Sequence, residues 1–198
     1  MIPVCISLKN RNVLIVGGGK VALRKAKLFL REEANITVIS KIFEKEFDDL
    51  SVNCITDKYQ HKYLKDMFVV YAATNSREVN LQIVHDCQQL NILCGNAHNS
   101  DESSFHSMAF LQNDLGLIAF SSYSKLPYSK PLVYEMMITL EENREKVELL
   151  EKLRPYIIQY SQNVKECYKG LYNCDIETLS SVYHDFMEGN YEKYKDLL

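Results

Sequence analysis

Apolar positions along the first hundred residues alternate between two periods. Asn12-Val13-Leu14-Ile15-Val16 is an unbroken apolar, largely β-branched run that stops at three glycines, the pattern of a strand buried on both faces. From Val21 to Arg31 the apolar residues recur at helical spacing (Val21, Ala22, Ala26, Phe29, Leu30), with basic residues on the other face. Residues 36–39 read as a second strand, 43–50 as a short helix, 52–55 as a third strand and 67–73 as a strongly apolar fourth. Asn75 or Ser76 can cap a helix running to about Gln89, because either side chain accepts an orphan backbone N–H of a first turn. Residues 92–94 make a short fifth strand. Strands separated by helices of this length imply crossover connections and a mostly parallel sheet.

Beyond Asn96 the pattern changes. Residues 97–104 are polar and turn-rich, a loop. Residues 105–111 and 115–120 read as two strands joined through Gln112-Asn113-Asp114, a hairpin. From Pro127 onward the chain is helical in character, with Pro131 where a helix can begin. The expected architecture is α/β: a Rossmann-type parallel sheet over residues 1–100, a small β segment over 101–145, and a helical C-terminal region over 146–198.

Composition narrows the class. The 198 residues are 46% apolar and 25% charged, an ordinary globular balance. Lys plus Arg number 23 against 26 Asp plus Glu, a net charge of −3 that argues against a dedicated nucleic-acid binder. No apolar run approaches the roughly 20 residues of a membrane span. Residues 1–9 lack a basic stretch before a long apolar run, so no signal peptide is expected. The six cysteines are dispersed, with no pair at two-residue spacing, and His61, His85 and His184 form no metal triad. No metal site is expected, and reduced thiols fit a cytoplasmic location.

The chemistry concentrates at Val16-Gly17-Gly18-Gly19-Lys20-Val21-Ala22. It matches G-x-G-x-x-A between a strand and a helix. Gly17 permits the tight turn, Gly19 lets a pyrophosphate approach the backbone, and Ala22 allows close helix–strand packing. The helix N-terminus supplies free N–H groups and partial positive charge. A Walker A reading fails, because no Ser or Thr follows Lys20. The second strand ends in Ile39-Ser40-Lys41-Ile42 with no acidic residue for a ribose 2′-hydroxyl, and Lys41 can tolerate a 2′-phosphate. NAD and NADP therefore both stay open.

Several segments, in order, resemble the precorrin-2 dehydrogenase (sirohydrochlorin synthase) family, which includes the corresponding domain of sirohaem synthases and bifunctional dehydrogenase/ferrochelatases. They are Pro3 followed by Leu8-Lys9-Asn10-Arg11 and the glycine turn, Val21-Ala22-Leu23-Arg24-Lys25, Ala72-Ala73-Thr74 with Asn80, Leu93-Cys94-Gly95-Asn96, and Ser121-Ser122 through Pro127. The likeness covers about residues 1–145. It implies oxidation of precorrin-2, a tetrapyrrole with eight carboxylates, by hydride transfer to NAD⁺, with iron insertion as a further activity in some members. It also implies a homodimer through residues 105–145.

By the same resemblance, Gly17, Gly18, Gly19, Lys20 and Val21 hold the pyrophosphate of NAD, Lys41 and Ile42 lie near its adenosine end, and Thr74 belongs to the same site. Ser122 and Lys125 meet substrate carboxylates. The family's aspartate, assigned to dehydrogenation, falls at Asn99, an amide that cannot accept a proton as a carboxylate does. Asp101, two residues on, and His98 are the candidates to act in its place, with His106 nearby. Tyr123 and Ser124 stand where the family has two glycines. A loop aspartate or a lone histidine is more often solvated or structural. These departures on the substrate side keep a second reading open, a non-catalytic tetrapyrrole- or nucleotide-binding relative in haem or sirohaem synthesis.

Overall fold

The computed structural model describes residues 2–122 and 128–194. The chain gathers into two compact units, residues 1–107 and 108–198.

The first unit holds strands β1 (Asn12–Val16), β2 (Asn35–Ser40), β3 (Asn53–Thr56), β4 (Val69–Ala72) and β5 (Leu93–Asn96), with helices α1 (Lys20–Arg31) and α2 (Arg77–Gln89). All five strands are parallel, in the order β3-β2-β1-β4-β5. The unbroken apolar run places β1 at the centre. Val13 and Ile15 pack into a cluster with Ala22, Leu23, Ala26 and Phe29 of α1. Leu14 and Val16 enter a second cluster with Ile83, Val84 and Cys87 of α2. Burying a side chain of this size stabilises by about 1.5–3 kcal/mol, so the four residues Val13 to Val16 anchor β1 firmly in the sheet. The strand order reverses between β1 and β4, and in such sheets ligands bind outside the carboxyl ends at that reversal.

Two expectations change in this unit. The helix expected over 43–50 is a single 3₁₀ turn, Lys45–Phe47. Glu44 is extended, with its N–H donating to the Gly18 carbonyl at 2.8 Å, so the chain after β2 is strapped to the glycine turn and cannot coil sooner. The strand expected over 105–111 begins later, at Ala109. Phe105 packs against Tyr71 and Ser107 bonds Lys25, which hold that segment in the first unit. Helix α2 starts as its cap dictates: the Ser76 hydroxyl accepts from Val79 N–H at 3.3 Å.

The second unit opens with the antiparallel hairpin β6 (Ala109–Gln112) and β7 (Leu117–Phe120). Its turn is set by Asn113, whose side-chain oxygen accepts from the N–H groups of Leu115 and Gly116, each at 3.0 Å. Helix α3 (Ser129–Glu142) lies against both strands. It starts two residues before Pro131, which occupies a first-turn position where no N–H is needed. Helices α4 (Arg144–Tyr160), α5 (Val164–Tyr172) and α6 (Ile176–Met187) close around Leu153, Ile157, Leu171, Leu179 and Phe186.

Candidate dinucleotide site

The three glycines between β1 and α1 serve different ends. Gly17 has φ +124, a conformation side chains rarely adopt, and a Cβ there would collide with the Ala73 carbonyl oxygen beyond β4. A Cβ on Gly18 would run into the Ile42 carbonyl and lie 2.8 Å from the Ser40 hydroxyl. The first two glycines are thus demanded by the protein's own packing. Gly19 is not: its φ of −88 suits any residue, and a Cβ there would meet no atom within 4 Å.

Gly19 is also the N-cap of α1. No side chain caps this helix and no acidic residue stands in its first turn. The first intrahelical bond runs from Leu23 N–H to the Gly19 carbonyl at 3.0 Å, so the N–H groups of Lys20, Val21 and Ala22 are the orphans of this terminus. An open approach, uncapped donors and a partial positive charge, at the β1/β4 reversal, fit the pyrophosphate of a dinucleotide.

At the end of β2 the Ser40 hydroxyl donates to the Ile42 carbonyl at 2.7 Å and accepts from Ile42 N–H at 3.3 Å. This turn sets Lys41 and Ile42 at the surface, Ile42 81% exposed. The neighbouring acid, Asp57, is committed elsewhere. Its carboxylate accepts from the Tyr63 hydroxyl, Lys58 N–H and Gln60 amide, which hold it below the usual carboxylate range.

Beyond β4 and β5, two loops form a hydrogen-bonded cluster. Asn80, fully buried on α2, accepts at Oδ1 from Thr74 N–H (3.1 Å) and from the Thr74 hydroxyl (2.7 Å). Its Nδ2 donates to the Thr74 carbonyl at 3.2 Å and lies 3.3 Å from His98 Nδ1. Asn96 and Asn99 donate to the two oxygens of Glu102, at 2.8 and 2.9 Å, and Arg77 stands 3.8 Å away.

The residues expected from sequence separate accordingly. Thr74 and His98 meet through Asn80. Asn99 caps the 3₁₀ turn Ser100–Glu102, accepting from Asp101 N–H at 3.1 Å. Asp101 is exposed, and its carboxylate makes no hydrogen bond or ion pair among the described residues. His106 Nε2 lies 2.7 Å from the Ser100 carbonyl. Ser122 is half-buried beyond β7, while Tyr123, Ser124 and Lys125 lie outside the described residues.

Sequence reasoning missed Glu102 as the braced carboxylate of the loop, and it missed Lys25. That ammonium is buried in α1, 4.8 Å over the Tyr71 ring and bonded to the Ser107 hydroxyl. Burial, and secondarily Arg24, push its pKa down to about 8. The signal was a basic residue set on the apolar stripe, between Ala22 and Phe29.

Residues 4–109 match a family model described as putative NAD(P)-binding. The chain belongs to this NAD(P)-binding family, and a nicotinamide dinucleotide is its cofactor. Within the family its likeness is to siroheme synthases. It is 34% identical over 141 residues to a siroheme synthase of Tolumonas auensis, covering 70% of this chain and 30% of that one. It is 31% identical over 141 residues to siroheme synthase 2 of Aeromonas salmonicida, covering 70% and 29%. The chain thus spans about 30% of the length of these relatives. In fold it resembles the solved structure of SirC, a precorrin-2 dehydrogenase, with a TM-score of 0.61 at 21% identity over 97% of this chain and 100% of that one.

Proposed function

We propose that the chain is the NAD⁺-dependent dehydrogenase that converts precorrin-2 to sirohydrochlorin in sirohaem biosynthesis. The observation that carries this reading is the open Gly19 position at an uncapped helix N-terminus, in a chain whose relatives are siroheme synthases.

Bound NAD⁺ supplies a hydride acceptor. The chain's own residues do the rest. Gly17 and Gly18 hold the turn, and the backbone N–H groups after Gly19 take the pyrophosphate, beside Lys20 and Val21. Lys41 and Ile42 line the adenosine end. Loss of the hydride leaves the substrate with a proton to shed, and in this reading Asp101, whose exposed carboxylate makes no hydrogen bond among the described residues, is the base that takes it. Asn99 is a positioning residue: its side-chain NH₂ donates to Glu102 and its side-chain oxygen accepts from the Asp101 backbone N–H. Ser122 and Lys125 bind substrate carboxylates.

The protein works as a cytoplasmic homodimer in this reading. The exposed apolar side chains Phe110, Leu111 and Leu117 on the hairpin, with Tyr134, Met136 and Ile138 on α3, support an interface within residues 105–145. Among the described residues no helix is long and apolar enough to cross a membrane. Among the described residues no three His, Cys, Asp or Glu are grouped to hold a metal ion.

The test is anaerobic incubation with precorrin-2 and NAD⁺, following sirohydrochlorin and NADH together. Equal amounts of both are expected. Failure with NAD⁺ and NADP⁺ alike, with tetrapyrrole binding intact, would favour the non-catalytic relative, the reading that Asn99 in place of a carboxylate supports.

A further inference from the structure

We propose that His98 is a hydrogen-bond donor, presenting Nε2–H to a carboxylate of the substrate, and is not the group that receives the proton. The inference rests on the dehydrogenase reading of the same site.

The argument runs through Asn80. The Thr74 backbone N–H can only donate, so the Asn80 atom 3.1 Å from it is the amide oxygen. The other atom is then the amide nitrogen, with two hydrogens. One goes to the Thr74 carbonyl at 3.2 Å, and the other points to His98 Nδ1 at 3.3 Å. His98 Nδ1 therefore accepts. In the neutral ring the proton must sit on Nε2, because one ring nitrogen donates when the other accepts. A proton on Nδ1 would meet the Asn80 N–H head-on.

Asn80 cannot turn round to relieve this. It is fully buried, and a flipped amide would set its NH₂ against the Thr74 N–H and its oxygen against the Thr74 carbonyl. The Nε2 side of the ring makes no bond among the described residues, and the residue is exposed. The structure thus offers an N–H donor fixed at Nε2, on a loop that in the proposed reading meets the substrate's carboxylates. A base would need the opposite tautomer.

Three measurements on the full chain test this. Nitrogen-15 NMR at mildly alkaline pH, with the ring assigned by its loss in His98→Gln, should show the Nε2–H tautomer. The Nδ1–H tautomer would overturn the proposal whether or not the chain has activity. Fluorescence titration with uroporphyrin, a polycarboxylated tetrapyrrole, should give binding roughly tenfold weaker for His98→Ala. It should be within about threefold of wild type for His98→Gln, whose amide can also donate, and weakest for His98→Asp, which repels carboxylates. Absent wild-type binding, or equal binding by His98→Ala, would overturn it.

With precorrin-2 and NAD⁺, His98→Ala should raise KM and leave kcat within about threefold. A His98→Asp variant that keeps kcat while His98→Gln loses it would make His98 a base and end the proposal. If wild type shows no turnover, the dehydrogenase reading fails while the tautomer and porphyrin arms still decide the role of His98.

Discussion

Replacing Gly19 and Gly17 in turn separates what the fold needs from what the cofactor needs. Gly19→Ala places a methyl group in open space, at a φ of −88 that alanine adopts freely. Its structural cost is confined to a poorer N-cap, less than about 1 kcal/mol. Gly17→Ala has no such freedom. A side chain at φ +124 stores roughly 1–3 kcal/mol of strain, and relieving its collision with the Ala73 carbonyl adds about 1–3 kcal/mol more. The sum, roughly 2–6 kcal/mol, is a large share of the 5–15 kcal/mol that holds a typical domain together. Urea denaturation should therefore find Gly19→Ala within about 1 kcal/mol of wild type and Gly17→Ala severely destabilised. Titration calorimetry with NAD⁺ should nonetheless show Gly19→Ala weakened by roughly 10–100-fold, because its methyl group stands where the pyrophosphate meets the backbone. Unchanged NAD⁺ affinity in a folded Gly19→Ala would refute the placement of the pyrophosphate. Destabilisation equal to that of Gly17→Ala would refute the division of labour among the glycines.

Other perturbations follow from the same geometry. Lys25 has its folded-state pKa lowered to about 8 from 10.5, so between those values the unfolded chain binds more protons and stability rises with pH, by up to about 1.4 kcal/mol per unit. Lys25→Met should abolish that rise and be the more stable form at neutral pH; equal pH slopes in the two proteins would show that the ammonium is not desolvated. Ser76→Ala should cost about 1 kcal/mol by uncapping α2, read as a lowered urea midpoint with unchanged slope. In the second unit Arg144 holds Asp114 at 2.7 and 2.9 Å and lowers its pKa to about 2 from 3.8. The contribution is present above the unfolded value and fades as pH falls through the folded one, so Arg144→Met should lose stability at about pH 5 and little at about pH 2, as followed by circular dichroism.

How much of this was legible in the sequence varied with the kind of interaction. The β1 run and the α1 stripe announce themselves because burial on both sheet faces and on one helix face leaves a period in the chain. The glycine turn is equally plain, since G-x-G-x-x-A stands directly between the β1 run and the α1 stripe, although the contacts with Ala73, Ile42 and Ser40 that demand its first two glycines are tertiary. The 43–50 segment misled because its apolar residues, Phe43, Phe47 and Leu50, recur at helical spacing. What stops a helix there is a tertiary bond from Glu44 to the Gly18 carbonyl, invisible to periodicity. The loop after β5 was legible only as a set of polar residues. Asp101 drew attention as the acid nearest the family position, yet the carboxylate braced between two amides is Glu102, and only the fold brings Asn96 and Asn99 to it. Asn80 likewise carries no local signal of its link to His98, eighteen residues away.

The most direct measurement of the central claim is single-turnover hydride transfer by this 198-residue chain alone, mixed anaerobically with NAD⁺ and precorrin-2 at enzyme excess. The account predicts one NADH and one sirohydrochlorin for each precorrin-2 consumed, at matching rates and with no other part of a siroheme synthase present. Bound precorrin-2 that persists unoxidised, with NAD⁺ also bound, would contradict it.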